Sequence, residues 1–161
     1  MKIDFSLISV SIILLVLSGC HQKQIKSAVT PLVSSARSEV PLLELLPLAK
    51  LPHAGWPEIE IAGRKWYVDA ATILTRDELS SLSLIKNDRG DVLLHVIPGE
   101  QGRNKINNSI KNKADFILMV LNGKAISLSQ LKSSQNIPFY VGDESKTIQV
   151  AESISQTKII R

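Results

Sequence analysis

In the body of the chain, Phe116-Ile117-Leu118-Met119-Val120-Leu121 forms a continuous apolar run, the pattern of a central strand covered on both faces. Asn122-Gly123 follows at once, and Lys124-Ala125-Ile126-Ser127-Leu128 alternates behind it. Together they predict a two-residue hairpin whose turn residues both take positive φ. A second hairpin is predicted where Glu58-Ile59-Glu60-Ile61 alternates, Ala62-Gly63-Arg64 turns the chain and Lys65-Trp66-Tyr67-Val68 returns. A third joins Leu82 to Lys86 with Val92 to Ile97 across Asn87-Asp88-Arg89-Gly90-Asp91, a run of turn formers. Ile137 to Val141 supplies one more short strand. Glu100 to Lys113 is polar except for Ile106 and Ile110, four apart, and predicts a helix with one narrow apolar stripe. Gly142-Asp143-Glu144-Ser145 opens a last helix with acidic residues at its positive end, and Ile148, Ala151, Glu152 and Ile154 set its inner and outer faces. Thr75-Arg76-Asp77-Glu78 has the spacing of a capping box, with a short helix or turn to Ser81 behind it. The expected fold class is α+β: an antiparallel sheet with two main helices packed on one side.

The chain ahead of this domain reads differently. Met1 to Asp4 is a short polar start, Phe5 to Leu17 is mostly apolar, and Leu17-Ser18-Gly19-Cys20 follows. The apolar stretch is short for a permanent membrane span, and small residues before a cysteine form a lipobox. The expectation is a lipoprotein signal peptide over 1–19 and lipidation of Cys20, with an uncleaved anchor or a simple secretory signal as the alternative. Acyl chains on Cys20 would hold the protein to a membrane by about 0.8 kcal/mol per buried methylene. Cys20 is the chain's one cysteine, so its acylation would leave no thiol for a disulfide, a redox motif or a cysteine-ligated metal. His21, rather than Asp, follows it. Resemblance to other lipoproteins then implies a bacterial cell envelope protein on the outer membrane, facing the periplasm. Residues 20–54 read as a lipidated tether with a Leu/Pro-rich strap, and 55–161 as the folded domain, beginning near Trp56. His21 to Val40 is too polar to offset its own ordering entropy. Pro41 to Pro52 carries six leucines punctuated by prolines that forbid a long helix. It reads either as a turn or extended strap covering one face of the domain, or as a strip that docks a partner.

Charge and candidate chemistry narrow the function by exclusion. The formal net charge is +4, and its lysines are scattered without interleaved aromatics, which argues against nucleic-acid binding. His21 and His53 lie in the tether and His95 within a strand, so no pair has metal-ligand spacing. Asp88, Asp91 and Glu100 gather around a turn and a helix start, where carboxylates serve as turn formers and dipole partners. Gly99 to Gly102 could present free amides to an anion, but it carries Glu100 and lacks the Lys-Ser/Thr of a phosphate loop. Trp56, Trp66 and Tyr67 suit core and hairpin packing better than an exposed aromatic patch. No catalytic residue, cofactor or metal site is expected, and the chain is read as a non-enzyme.

From about Ile73 to Ser155 the order of motifs resembles the head subdomain of the first periplasmic region of the SecD/SecDF protein-export family. The resemblance rests on the capped turn Ile73-Leu74-Thr75-Arg76-Asp77-Glu78-Leu79 and on a strand closing at Pro98 before Glu100 and Gly102. It continues through an aliphatic strand, an Asn-Gly turn and a strand carrying Ser127, then Ile137-Pro138-Phe139-Tyr140-Val141-Gly142 and the helix from Thr147 to Ile154. Ser129 stands where that family usually has proline, Ala114 replaces a glycine, and no polytopic membrane region is present. What the resemblance implies is a fold and a habit of touching exported polypeptide, without energised transport. The expected function is a lipid-anchored envelope protein that binds a polypeptide or protein partner without catalysis, as an accessory to protein export. The alternative is a structural, surface-exclusion or immunity-type lipoprotein.

Overall fold

The computed structural model describes residues 42–157. The lipobox, Cys20, His21 and the tether to Val40 lie outside the described residues. Among the described residues, nine strands and two α-helices make an α+β fold with antiparallel sheets. One sheet was expected, and two are found. The larger, six-stranded sheet holds β1 (Leu43–Ala49), β2 (Glu58–Ile61), β3 (Arg64–Val68), β4 (Leu74–Thr75), β7 (Phe116–Leu121) and β8 (Lys124–Gln130), in the order β2-β3-β1-β7-β8 with β4 also on β1. The smaller sheet runs β5 (Leu79–Lys86), β6 (Val92–Pro98), β9 (Ile137–Phe139). Helices α1 (Glu100–Lys111) and α2 (Glu144–Ser155) follow β6 and β9.

The largest departure from the sequence pattern is the leucine-rich strap. It packs on the protein's own core, but as strand β1, paired with β7 along Leu43 to Leu48 and with β3 and β4 on its other side. The folded body therefore starts well ahead of Trp56. Pro47 is tolerated in mid-strand because of where it points. A strand residue directs its N and its O to the same neighbour, and the Pro47 carbonyl accepts from Asp69 N at 2.9 Å. Its missing N–H thus faces the gap between β3 and β4, which the short 3-10 turn Ala70–Thr72 spans, and the β7 ladder loses nothing.

The hairpins form as the turns dictate. Asn122 and Gly123 take φ of 51° and 74° with Leu121 opposite Lys124, the two-residue turn with positive φ at both positions. The Asn122 side chain adds a second role, accepting from Leu42 N at 2.9 Å and so fastening the start of β1. Ala62 and Gly63 close the β2–β3 hairpin in the same way, at φ 50° and 74°. In the β5–β6 turn the Asn87 carboxamide oxygen accepts from the amides of Arg89 and Asp91. The capping box yields a 3-10 turn, Arg76–Glu78, and β5 begins straight after it at Leu79 rather than at Leu82.

Side-chain alternation builds the core. Leu43, Leu45, Ile117 and Met119 from the large sheet meet Leu94, Val96, Ile137 and Phe139 from the small one, and Ile106, Val150, Ala151 and Ile154 bring in both helices. The opposite face of the large sheet gathers a second cluster of Leu48, Trp66, Val68 and Leu118, with Trp66 edge-on to Phe116 at 5.1 Å.

Candidate functional site

Sheet edges decide what this fold can offer a partner, because each edge presents unpaired backbone amides and carbonyls. Strand β9 is short, has Pro138 at its centre, and is closed from outside. Ser129 Oγ donates to the Pro138 carbonyl at 2.6 Å and Ser127 Oγ to the Tyr140 carbonyl at 2.7 Å, so β8 hydroxyls seal the seam between the sheets. Strand β2 is four residues long and carries Glu58 and Glu60. Glu58 pairs with Lys65 across the hairpin at 2.9 Å and accepts from the Tyr67 hydroxyl at 3.3 Å.

Strand β5 is the contrast. It runs eight residues, pairs with β6 on one side, and among the described residues has no strand on the other. Register against β6 puts Leu82 and Leu84 opposite Val96 and Leu94 on the inner face, and Ser81, Ser83 and Ile85 opposite Ile97, His95 and Leu93 on the outer. Beside this edge lies α2. A hollow of about 330 Å³ opens between them, lined by Leu82, Ser83, Leu84, Leu94, Ala151 and Ser155. A second of about 250 Å³ continues it toward the start of β5, past Leu79, Ser80 and Ile154 to Arg76. Both share Leu82 and Ser155, so they form one seam along the strand.

Local contacts fix the charged end of that seam. The Arg76 guanidinium donates to the Ser155 carbonyl at 3.1 Å, one of the carbonyls at the C-terminal end of α2 that lack a partner within the helix; the Thr157 hydroxyl donates to the same oxygen at 3.4 Å. Glu78, two residues on, is engaged elsewhere. Its carboxylate accepts from Thr75 N at 2.9 Å and from Lys105 Nζ at 2.6 Å. Burial alone would push the Glu78 carboxyl up, but the Lys105 ammonium and the Thr75 amide together hold it below its ordinary value. The Glu78 carbonyl accepts from Gly99 N at 2.8 Å and crowds Gly102, where a Cβ would stand 2.6 Å from that oxygen. Gly99, just ahead of α1, and Gly102, in its first turn, thus serve close packing of the helix on the 3-10 turn.

The remaining candidate residues are placed as scaffold. His95 is half-buried on β6 and its Nδ1 lies 2.8 Å from the Asn136 carboxamide oxygen. His53 stacks on Trp56 with ring centroids 4.5 Å apart. Asp91 accepts from Asn87 Nδ2 at 3.1 Å, within the turn it helps to form, and Asp88 lies in the same turn. Among the described residues, no group of three or more His, Cys, Asp or Glu is placed to hold a metal. No described helix is long and apolar enough to cross a membrane.

One polar cluster has no forewarning in the sequence. Asp69, Thr72 and Ser109 are all buried. Ser109 Oγ donates to Asp69 Oδ2 at 2.9 Å, shares a hydrogen bond with Thr72 Oγ1, and Thr72 Oγ1 donates to the Asp69 carbonyl at 3.1 Å. Among the described residues no histidine joins it, all three groups are closed off from solvent, and they tie α1 to the turn after β3. It is a structural pin, since a serine needs an adjacent base and an accessible oxygen to act as a nucleophile. Its members lie up to 40 positions apart, so no local signal could have joined them.

Comparison with protein-family models, with curated proteins and with solved structures finds no match to this chain.

Proposed function

We propose that this chain is a lipid-anchored bacterial envelope protein that binds extended polypeptide at the open edge of β5, without catalysis and as an accessory to protein export. The observation that carries the reading is the eight-residue β5 edge, unpaired among the described residues and bordered by an apolar hollow. An edge of this kind is completed by another backbone in strand form, which supplies main-chain hydrogen bonds while alternate side chains fill adjoining pockets. The resemblance to the SecD/SecDF head lends an exported polypeptide as the partner. The lipobox lends the outer membrane, periplasmic face, as the place.

The test uses the full membrane-anchored chain. A photocrosslinker in place of Ser83 should form adducts with a permanently unfolded polypeptide, whereas the same probe in place of Lys124, the exposed first residue of β8, should not. Equal adducts from both positions, or none from Ser83, would overturn the reading. For the anchor, Cys20→Ser should abolish incorporation of labelled fatty acid, and labelling that persists would refute Cys20 as the acceptor.

A further inference from the structure

We infer that the β5–α2 seam takes the free C-terminal end of its partner: an extended segment running antiparallel to β5, with an apolar side chain in the Leu82/Leu84/Leu94/Ala151 hollow and its terminal carboxylate at Arg76. This rests on the reading of β5 as a polypeptide site and adds direction and chemistry to it.

Direction follows from which end of the seam is charged. Strand β5 runs from Leu79, beside the Arg76 hollow, to Lys86. A strand added antiparallel therefore ends at the Leu79 side. Before Leu79 the chain is in the 3-10 turn Arg76–Glu78 and offers no ladder to continue along, so a segment that terminates there gives up no backbone partner. The distance fits as well. From Leu82 to Leu79 is three strand positions, about 10 Å, so a side chain seated at Leu82 belongs to a residue within the last few of the partner.

Chemistry follows from Arg76. Among the described residues its one polar partner is the Ser155 carbonyl, and a guanidinium carries five N–H donors in a planar fork. Neither neighbouring carboxylate neutralises it: among the described residues the exposed Asp77 makes no ion pair with it, and Glu78 already holds Lys105. A carboxylate arriving at the end of the groove is the group this fork binds in two-toothed fashion. Lining by leucines and alanine around the larger hollow sets the preference for an aliphatic side chain upstream.

The experiment uses the full chain and a fluorescein-labelled heptapeptide of alternating serine and leucine with a free C-terminal carboxylate. Two control peptides accompany it, one amidated at the C-terminus and one N-methylated at alternate amides. Fluorescence anisotropy should show the free acid binding, the amide weaker by about tenfold or more, as loss of a charge-assisted hydrogen bond implies, and the N-methylated peptide not binding. Arg76→Gln should bring the free acid down to the level at which the same variant binds the amide. Equal binding of acid and amide would overturn the terminal-carboxylate reading and leave polypeptide binding standing. Binding of the N-methylated peptide, or of none of the three, would overturn both. Self-association that protects the β5 amides from hydrogen exchange and that peptide cannot displace would give the edge to a second copy of this chain, and would overturn the inference too.

Discussion

The two edges of the small sheet are built from opposite materials. At β9 the strand is three residues, its centre is a proline with no N–H to offer, and two serine hydroxyls from β8 occupy the carbonyls at Pro138 and Tyr140. At β5 the strand is eight residues, with serine or apolar side chains at every position before Lys86 and no paired neighbour among the described residues. Proteins commonly blunt an edge with short length, proline, charge or cover. The β9 edge uses three of these devices, and β5 uses only a register shift between Leu79 and Ser81 and a lysine at its far end. The difference teaches that exposure at β5 is not a general property of this sheet. One side was closed with side-chain chemistry and the other was left as backbone.

The strongest way to break the comparison is to empty the core behind each edge. Phe139 is fully buried on β9, in contact with the shared core, and Phe139→Ala should cost about 3 to 5 kcal/mol. Leu84 is half-buried on β5 and walls the open hollow, so Leu84→Ala should cost about 1 kcal/mol or less, because water already reaches the space it leaves. Denaturant melts of the two variants separate them. Equal losses would mean that the hollow beside β5 is as tightly packed as the β9 side.

The joint between the sheets comes next. Chain passes from β4, on β1, into β5 through the turn Arg76–Glu78, and α1 lies against that turn at Gly102. Gly102→Ala would put a methyl 2.6 Å from the Glu78 carbonyl and 3.0 Å from Leu74 and Pro98. Backbone must move to admit it, so the expected loss is about 1 to 3 kcal/mol. Gly99→Ala meets the same carbonyl at 3.3 Å and should cost less. A thermal melt that ranks the two the other way would misplace the joint.

A smaller effect tests the seal itself. Replacing Ser127 and Ser129 together by Ala removes the hydroxyl donors to the Pro138 carbonyl in β9 and the Tyr140 carbonyl just past it, at about 0.5 to 1.5 kcal/mol each. Hydrogen exchange should quicken around β9 and stay unchanged along β5. Unchanged exchange at β9 would show that its edge needs no seal, and the contrast with β5 would narrow to length and Pro138.

Much of this was legible because short-range chemistry set it. The Asn122-Gly123 turn, the Asn87 turn, the acidic start of α2 and the two helices all formed where their residues demanded, since each depends on neighbours within four positions. Leu43 to Ala49 was not legible as a strand, because its prolines argue against one unless the neighbour facing Pro47 is known to be interrupted. That interruption lies over twenty positions away, at the 3-10 turn after Asp69. The division into two sheets was hidden for the same reason, as strand order is a property of pairing and not of pattern. Leu82 to Lys86 reads as a strand in the sequence, but its extension back to Leu79 and its open side depend on what the rest of the chain does not cover. Arg76 carried only the signal of a helix-start residue and gained its place in the seam from Ser155, seventy-nine positions later.

The smallest expected effect sharpens the comparison at the start of β5. Glu78 fastens the turn before the strand by accepting from Thr75 N and Lys105 Nζ, and its carboxyl is held below the ordinary value of 4.5 in the folded protein. A group with a depressed folded pKa adds stability that is complete above its unfolded value and is lost as pH falls through the folded one. Stability should therefore be flat above about pH 5 and decline below about 4.5, with the amides from Leu79 to Leu82 exchanging faster before those of β9 do. Glu78→Gln should remove this acid-dependent step while costing about 1 kcal/mol at neutral pH, as expected for weakening one cap and one ion pair. Parallel acid titrations of the two proteins, followed by hydrogen exchange, check both parts. Loss of protection first at β9, or an acid profile that Glu78→Gln leaves unaltered, would show that Glu78 is not what steadies the open edge.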